Sequence, residues 1–446
     1  MEINKIKSIL FLGIGGIGMS ALAKYFIAKG IKVYGYDRTP SDMTSTLTQL
    51  GAEIVFVDDH LITSRSYDLV VYTPAMPQDS YSLNYYKESE IPLMKRSQAL
   101  GLITQNNFTI AVSGSHGKTT VSSMIAFLLK ECGLDCSAFL GGVSVNFNSN
   151  YVQGNSDVVV VEADEFDRSF MTLSPDIVVL TSIDTDHLDI YGTRENIVSS
   201  FREFLSKLDE KGVLIHNEKV VDKIEIKGQK KVYGFSKGDF IAKIKGIFST
   251  YSTFSVNENL EVFKLNYNGR HNIENALAAI SVGLTLGLDM KNMVSAIEKF
   301  RGIKRRFELI YSDENTVFID DYAHHPAEIE ALVSSVKEIF PGKKILSIFQ
   351  PHLYSRTKDL CADFAKSLDL SDEVILLPLY PARELPIEGV TSFIVSDKMK
   401  TNVNVVDKAD LLEAIKHRNF DVILTIGAGD ISGCISDIKN YLSTRE

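Results

Sequence analysis

The stretch "FTIAVSGSHGKTTVSSMIAFLLKE" (108–131) decides the fold of this chain. Phe108 to Val112 is a β-branched apolar run that reads as a buried strand, and the residues from about Lys118 to Glu131 carry a helical pattern. Between them lies a glycine turn, so strand, turn and helix follow in the order a phosphate cradle requires. The turn is short: only Ser115 and His116 separate Gly114 from Gly117, where the common phosphate loop has four residues. Its chemistry is intact. Glycines let backbone N–H groups approach phosphates, the helix start adds partial positive charge, Lys118 reaches the terminal phosphates, and Thr119 offers a hydroxyl to Mg²⁺. Further on, the strand "DVVVVEADE" (157–165) ends in Glu162 and Asp164, carboxylates placed to hold that metal, and "DTDHLD" (184–189) sets His187 just past another strand end. An ordinary βα turn is the competing reading, and the acidic strand end weighs against it.

A second cradle precedes this one. "GIGGIG" (13–18) lies between the strand "SILFLG" and a helix from about Gly18 to Lys29, and Asp37 ends the next strand 19 residues after Gly18. This is the dinucleotide-binding pattern, with phosphates expected over Gly15, Gly16, Ile17, Gly18 and Met19. Thr73 opens "TPAMP" (73–77) at another strand end, where ligands of parallel sheets bind.

Working outward, three α/β series emerge. The first, 1–105, runs through "KVYGYD", "EIVFV" and "DLVVYT"; the second, 106–303, adds "DIVVLTSID", the β-rich pieces "GVLIHN", "KVYGF", "FIAKIKG" and "STFSV", and helices at 272–286 and 290–300. The basic segment "RGIKRRFE" (301–308) reads as a linker hinged at Gly302. The third, 304–446, starts at "TVFIDDYAHHP" and continues through "KILSIFQPH", "EVILLPLY", "VNVV" and "DVILTIGAGD". Buried strands alternating with helices imply mostly parallel sheets covered on both faces. The fold expected is α/β in three domains: a Rossmann-like first, a phosphate-loop ATPase-like second and a Rossmann-like third.

Composition sets the boundaries of function. The chain has 446 residues and a formal net charge of −10, which argues against a nucleic-acid backbone or anionic membrane as the main partner. Four scattered cysteines without metal spacing read as thiols of a reducing cytoplasm. Lys5 and Lys7 precede an apolar run from Ile9 to Ala28, but glycines interrupt it and no cleavage site follows, so no export signal is expected.

The motifs "GIGGIGMSALA", "GSHGKTT", "EADE", "DHLD", "GRHNIENALAA", "DDYAHHP", "FQPHLYSRT" and "GAGDI" run from residue 13 to residue 431. In this order they resemble the Mur ligases, ATP-dependent amide-forming enzymes of bacterial cell-wall synthesis, and within them the branch that adds L-alanine. The resemblance implies UDP-N-acetylmuramate in the first domain and ATP with Mg²⁺ in the second. ATP would lie over Gly114, Ser115, His116, Gly117, Lys118, Thr119 and Thr120. Thr119 and Glu162 would hold one Mg²⁺ and His187 another; Asn275, with His271 nearby, would face the adenine, and Asp321 the ribose. Tyr322, His324, His352 and Arg356 would face the amino acid and the acyl group. The catalytic set it implies is Lys118, Glu162, His187, His324, His352 and Arg356. The third domain would swing on the linker to exclude water, and the enzyme would act as a monomer or weak homodimer.

Three positions depart from the family pattern. Ser115 stands where Thr is usual, Leu353 where many members carry Arg, and Phe166 where a small polar residue follows "EADE". Phe201 and Arg202 occupy the region where ligases of later residues carry a modified lysine, which favours the alanine-adding branch. The alternatives are a ligase that recycles an intact tripeptide onto the same UDP-sugar, an NAD-dependent dehydrogenase fused to an ATPase module, and a non-catalytic nucleotide-binding scaffold.

Overall fold

The computed structural model describes residues 3–184, 191, 193–220, 224–248, 250–382 and 384–445. The chain divides into two compact units, the second beginning at Gly302 and taking in two short pieces of the loops near 248 and 269. The first unit holds two sheets and the second holds one.

In the first sheet, β1 (Ser8–Leu12), β2 (Lys32–Tyr36), β3 (Glu53–Val55), β4 (Leu69–Tyr72) and β5 (Leu93–Lys95) lie parallel in the order β3-β2-β1-β4-β5. The chain steps outward from β1 to β3, then crosses back to place β4 on the other side of β1. That reversal opens a crevice beyond the carboxyl ends of β1 and β4. The glycine turn follows β1 and Thr73 follows β4, so both face it.

The second sheet has ten strands: β6 (Phe108–Ser113), β7 (Ser137–Ser144), β8 (Ser149–Val152), β9 (Val158–Glu162), β10 (Ile177–Leu180), β11 (Val213–Asn217), β12 (Gln229–Gly234), β13 (Phe240–Ile247), β14 (Ser252–Val256) and β15 (Val262–Leu265). Their order is β15-β14-β13-β12-β11-β10-β6-β9-β7-β8, with antiparallel hairpins closing both edges. β6 is central, flanked by β9 with Val112 opposite Glu162 and by β10 with Ser113 opposite Leu180. The phosphate turn therefore rises between two strand ends that both carry polar chemistry.

One core serves both sheets: Phe11, Phe26, Phe139, Tyr151, Phe170 and Phe201 are buried in the same cluster. The buried Asn150 of β8 ties them together. It donates to Ile17 O (2.6 Å) and Ser20 Oγ (2.9 Å) and accepts from Lys24 Nζ (2.7 Å), all on the helix Ile17–Ala28.

In the second unit β16 (Glu308–Ser312), β17 (Val317–Asp321), β18 (Ile345–Phe349), β19 (Glu373–Leu376), β20 (Asn402–Val405) and β21 (Val422–Ile426) take the order β16-β17-β21-β18-β19-β20. Only β16 is antiparallel. The last strand inserts between β17 and β18, so the ends of these three gather "DDYAHHP", "GAGD" and "FQPH" at one edge.

The α/β reading holds in every sheet. The sequence reading passed over β5, the hairpin β7–β8, β15 and β16. The helix Tyr354–Leu368 starts within the motif "FQPHLYSRT".

Candidate active site

The turn Gly114–Thr120 is built as a cradle. Gly114 has φ +128° and Gly117 φ +78°, the left-handed region that favours glycine. Gly117 caps the helix Lys118–Glu131, whose limits match those expected from the sequence. The end of β10 braces the turn from behind: Ser115 N–H donates to Ser182 O (3.3 Å), His116 N–H to Ser182 Oγ (3.2 Å), Asp184 N–H to Ser115 Oγ (2.9 Å) and Thr181 Oγ1 to His116 O (2.5 Å). Thr181 and Ser182 lie so close to Gly114 that they leave no room for a Cβ there. Thr120 is buried and Thr119 half-buried in the helix's first turn.

Lys118 lies folded along the turn. Its Nζ donates to Gly114 O (2.8 Å) and Ser115 O (3.4 Å) and forms an ion pair with Glu165 Oε1 (2.9 Å). Burial opposes its charge, but Glu165, Asp164 and Glu162 together hold the ammonium above its usual pKa. Glu162, half-buried at the end of β9, accepts the N–H of Gly141 (3.0 Å) through one carboxylate oxygen. Asn275 stands against the other end of the turn, its Oδ1 2.8 Å from where a Cβ on Gly117 would sit. That contact puts Asn275 beside the phosphate turn, and His271 opens the same helix with an exposed side chain. Phe201 is fully buried, its ring 5.5 Å from that of Phe170, so it is a core residue. His187 lies outside the described residues.

The first cradle has a different build. Gly13 has φ +85°, and a Cβ there would come 2.5 Å from Thr73 Cγ2, so strand end and turn close on each other. Gly15 N–H donates to Asp37 Oδ2 (2.7 Å). Asp37 thus braces the turn through one oxygen, leaving Oδ1 a long 3.4 Å contact to Thr39 N–H. Gly16 caps the helix Ile17–Ala28 and Ile17 is exposed in its first turn. Met19 differs from expectation. Its side chain is buried in the core, so only its backbone can meet a ligand.

Sequence reasoning missed three residues here. Glu165 was seen only as part of an acidic strand end, although Lys118 invites a search for a counter-ion. Gly141 gave no signal. Arg96 opens the helix Arg96–Thr104, and its guanidinium nitrogens lie 3.0–3.3 Å from where a Cβ on Gly18 would be. A guanidinium parked at a helix N-terminus meets the helix dipole unfavourably until an anion joins both.

In the second unit a cationic, aromatic cluster forms at the strand ends. The guanidinium carbons of Arg305 and Arg306 lie 5.1 and 5.5 Å from the Tyr322 ring centre. The His324 ring is 5.4 Å from Tyr322 and 6.2 Å from His352, which stacks on Tyr380 at 5.8 Å. His324 Nδ1 faces Tyr322 O at 3.0 Å and therefore carries the proton of the neutral ring. Burial pushes its pKa down; Glu328 pulls against this, and Arg356 and Arg306 add to it. Leu353 takes φ +72°, a conformation costly for a branched residue, just ahead of the helix bearing Arg356. Asp321, whose region was expected near a ribose, lies at the end of β17. Its two oxygens accept Phe307 N–H (2.6 Å) and Ala323 N–H (2.8 Å), and burial pushes its carboxyl up to about 6. The carboxylate shapes the backbone of this edge.

Two phosphate turns of unlike build, one with a lysine and an acidic strand end, define an α/β enzyme that works on two phosphorylated ligands. The chain belongs to the Mur ligase family. Its family models match in succession: Mur ligase family, catalytic domain, over 8–107; Mur ligase middle domain over 112–283; and Mur ligase, glutamate ligase domain, over 305–429. The chain is 44% identical over 453 residues to the UDP-N-acetylmuramate–L-alanine ligase of Flavobacterium psychrophilum, with all of both chains covered. It is 45% identical to that of Flavobacterium johnsoniae, covering 99% of each chain. The crystal structure of UDP-N-acetylmuramate–alanine ligase from Thermotoga maritima superposes with a TM-score of 0.82 at 30% identity, covering 99% of this chain and all of the other.

Proposed function

We infer that this chain is an ATP-dependent ligase that joins L-alanine to the lactyl carboxylate of UDP-N-acetylmuramate in peptidoglycan precursor synthesis. The observation that carries this is the presence in one unit of both cradles, on a chain that aligns end to end with ligases of that reaction. Domains 1–105, 106–303 and 304–446 divide the work in this reading.

The diphosphate of the UDP-sugar sits on the N-terminus of the helix Ile17–Ala28, where Gly16 and Ile17 offer N–H groups and Arg96 adds a charge. ATP lies in the second cradle, phosphates on the N–H groups of residues 114–120 and against Lys118. A carboxylate resists amines because its carbon is electron-rich and it lacks a leaving group. Transfer of the γ-phosphoryl to the lactyl carboxylate gives an acyl phosphate, and attack by the alanine amine then expels phosphate. Lys118 neutralises charge on the group in transfer.

Thr119 and Glu162 fit a divalent cation. A hydroxyl, a carboxylate and phosphate oxygens are the donors Mg²⁺ takes, and Glu162 ends the strand β9 beside the turn that bears Thr119. Among the described residues no three His, Cys, Asp or Glu side chains gather into a cage, in keeping with a site that the nucleotide completes. His187 is the further ligand in the family pattern. Mg²⁺ held there withdraws charge from the phosphates.

The cluster Arg306, Tyr322, His324, His352 and Arg356 takes the amino acid. The guanidiniums pair with its carboxylate, and the neutral His324, protonated on Nδ1, presents Nε2 to accept the ammonium proton. Phosphate release with UDP-N-acetylmuramate and a panel of acceptors tests the assignment. L-alanine is expected to be best and glycine weaker by about 10- to 200-fold, because a methyl pocket gains only modest discrimination. D-glutamate is expected to be inactive, because its second carboxylate would be buried unpaired. A tripeptide that outperforms alanine supports the recycling reaction instead.

A further inference from the structure

The partners of Lys118 bear on how ATP enters. An ammonium has three donors, and here all three are engaged: by Gly114 O, Ser115 O and Glu165 Oε1. The pair is enclosed, with 13% of the lysine side chain and 3% of the glutamate side chain exposed. Glu165 is itself fixed. Its carbonyl accepts from Tyr191 Oη (2.6 Å) and from Arg168 N–H (2.9 Å), and it follows directly on the strand end that holds Glu162. A phosphate oxygen that is to reach Lys118 must replace one of the three acceptors, and the charged one repels it.

We propose that Glu165 is a positioning residue for Lys118: its carboxylate clamps the lysine along the phosphate turn and yields to the nucleotide phosphates on binding. The clamp keeps a buried cation paired between turnovers and aims it from the side of β9, where Glu162 stands. It also opposes nucleotide binding, because displacing a buried counter-ion costs free energy and the displaced carboxylate stays close to the phosphates. Glu165 therefore lowers nucleotide affinity while it aligns the lysine for transfer and speeds ADP release. The inference rests on reading this turn as the ATP site.

The test is calorimetric titration of wild type and Glu165→Gln with ADP in the absence of Mg²⁺, followed by steady-state kcat and KM for ATP. Glu165→Gln is expected to bind ADP about 5- to 10-fold more tightly and to lower KM for ATP, the size of one charged contact. Its kcat is expected to fall by about 10-fold or more. A merely structural glutamate would lower both affinity and rate. Equal or weaker ADP binding by the variant overturns the clamp while the ATP reading stands; failure of the wild type to bind ADP overturns both. A second comparison uses melting temperature. Lys118→Met leaves a buried carboxylate without its ammonium, so adding Glu165→Gln to that variant is expected to raise its Tm. No rise overturns the pairing.

Discussion

The two glycine turns of the first unit start from one plan and end as different devices. Each follows a buried central strand, leaves it through a glycine at positive φ (Gly13 or Gly114), and lies beside a second strand end. In the central turn the cation is part of the turn itself: Lys118 is the first helical residue, and Glu162, Asp164 and Glu165 line the neighbouring strand end. In the N-terminal turn the cation comes from another helix, as Arg96, and the carboxylate at the next strand end, Asp37, is tied to Gly15 N–H. A lysine among carboxylates suits a phosphoryl group that changes hands. A guanidinium over a helix N-terminus suits a diphosphate that is only held. In the proposed reading, the same supersecondary frame serves transfer in one place and retention in the other.

Lys118→Ala is the sharpest way to break this contrast. It is expected to lower kcat by about 10²–10³-fold, as loss of a preorganised charge contact does. Binding of the UDP-sugar, measured by calorimetry, should be unchanged; a loss there would show that the turns do not act separately. Arg96→Ala is the mirror experiment. It should weaken UDP-N-acetylmuramate binding by about 10- to 100-fold, the range of a lost charge-assisted bond, and leave ADP affinity unchanged. Equal effects on both ligands would end the division of labour.

The glycines sharpen the comparison further. Gly114→Ala forces a side chain into Thr181 and Ser182 at φ +128°, and it should lower the melting temperature by several degrees, for a cost on the order of 2 kcal/mol or more. Gly16→Ala, at φ −62° with no atom nearer than 3.6 Å to the new Cβ, should leave Tm nearly unchanged. A reversed ranking would contradict the turn geometries.

A pH effect stands outside both turns and serves as their control. Burial holds His324 below its usual pKa, so at this residue the folded second unit binds its proton less readily than the unfolded chain. Its stability is full above the unfolded value of about 6.5 and is lost as pH falls through it. Asp321, raised to about 6, acts oppositely. It costs stability as pH rises from about 3.8 towards 6. Denaturation of His324→Asn across pH 5 to 7.5 should show a smaller loss on acidification than wild type, and an unchanged slope would remove His324 as the acid-sensitive group.

Strand cores were legible because β-branched runs such as "DVVVV" and "DIVVL" have no other stable use than burial. The hairpin β7–β8 was not, because Gly141 and Gly142 interrupt it and part of it is exposed. β15 and β16 are edge strands, the first with half its residues out of the core and the second with none buried, and a short mixed run gives no period. In the site, each residue of the turn 114–120 could be read from its neighbours in sequence. Arg96 could not, since it reaches Gly18 only through the crossing of β4 and β5. Asp321 has the right type for a ligand, and only the structure shows that its two oxygens also accept the backbone N–H groups of Phe307 and Ala323.

The central claim is that the lactyl carboxylate is activated at the Lys118 turn before the amine attacks. It is tested most directly by following ¹⁸O placed in the lactyl carboxylate of UDP-N-acetylmuramate through a single turnover with ATP and L-alanine. The account predicts one ¹⁸O atom in each inorganic phosphate released. Phosphate free of the label, with the amide formed, would contradict it.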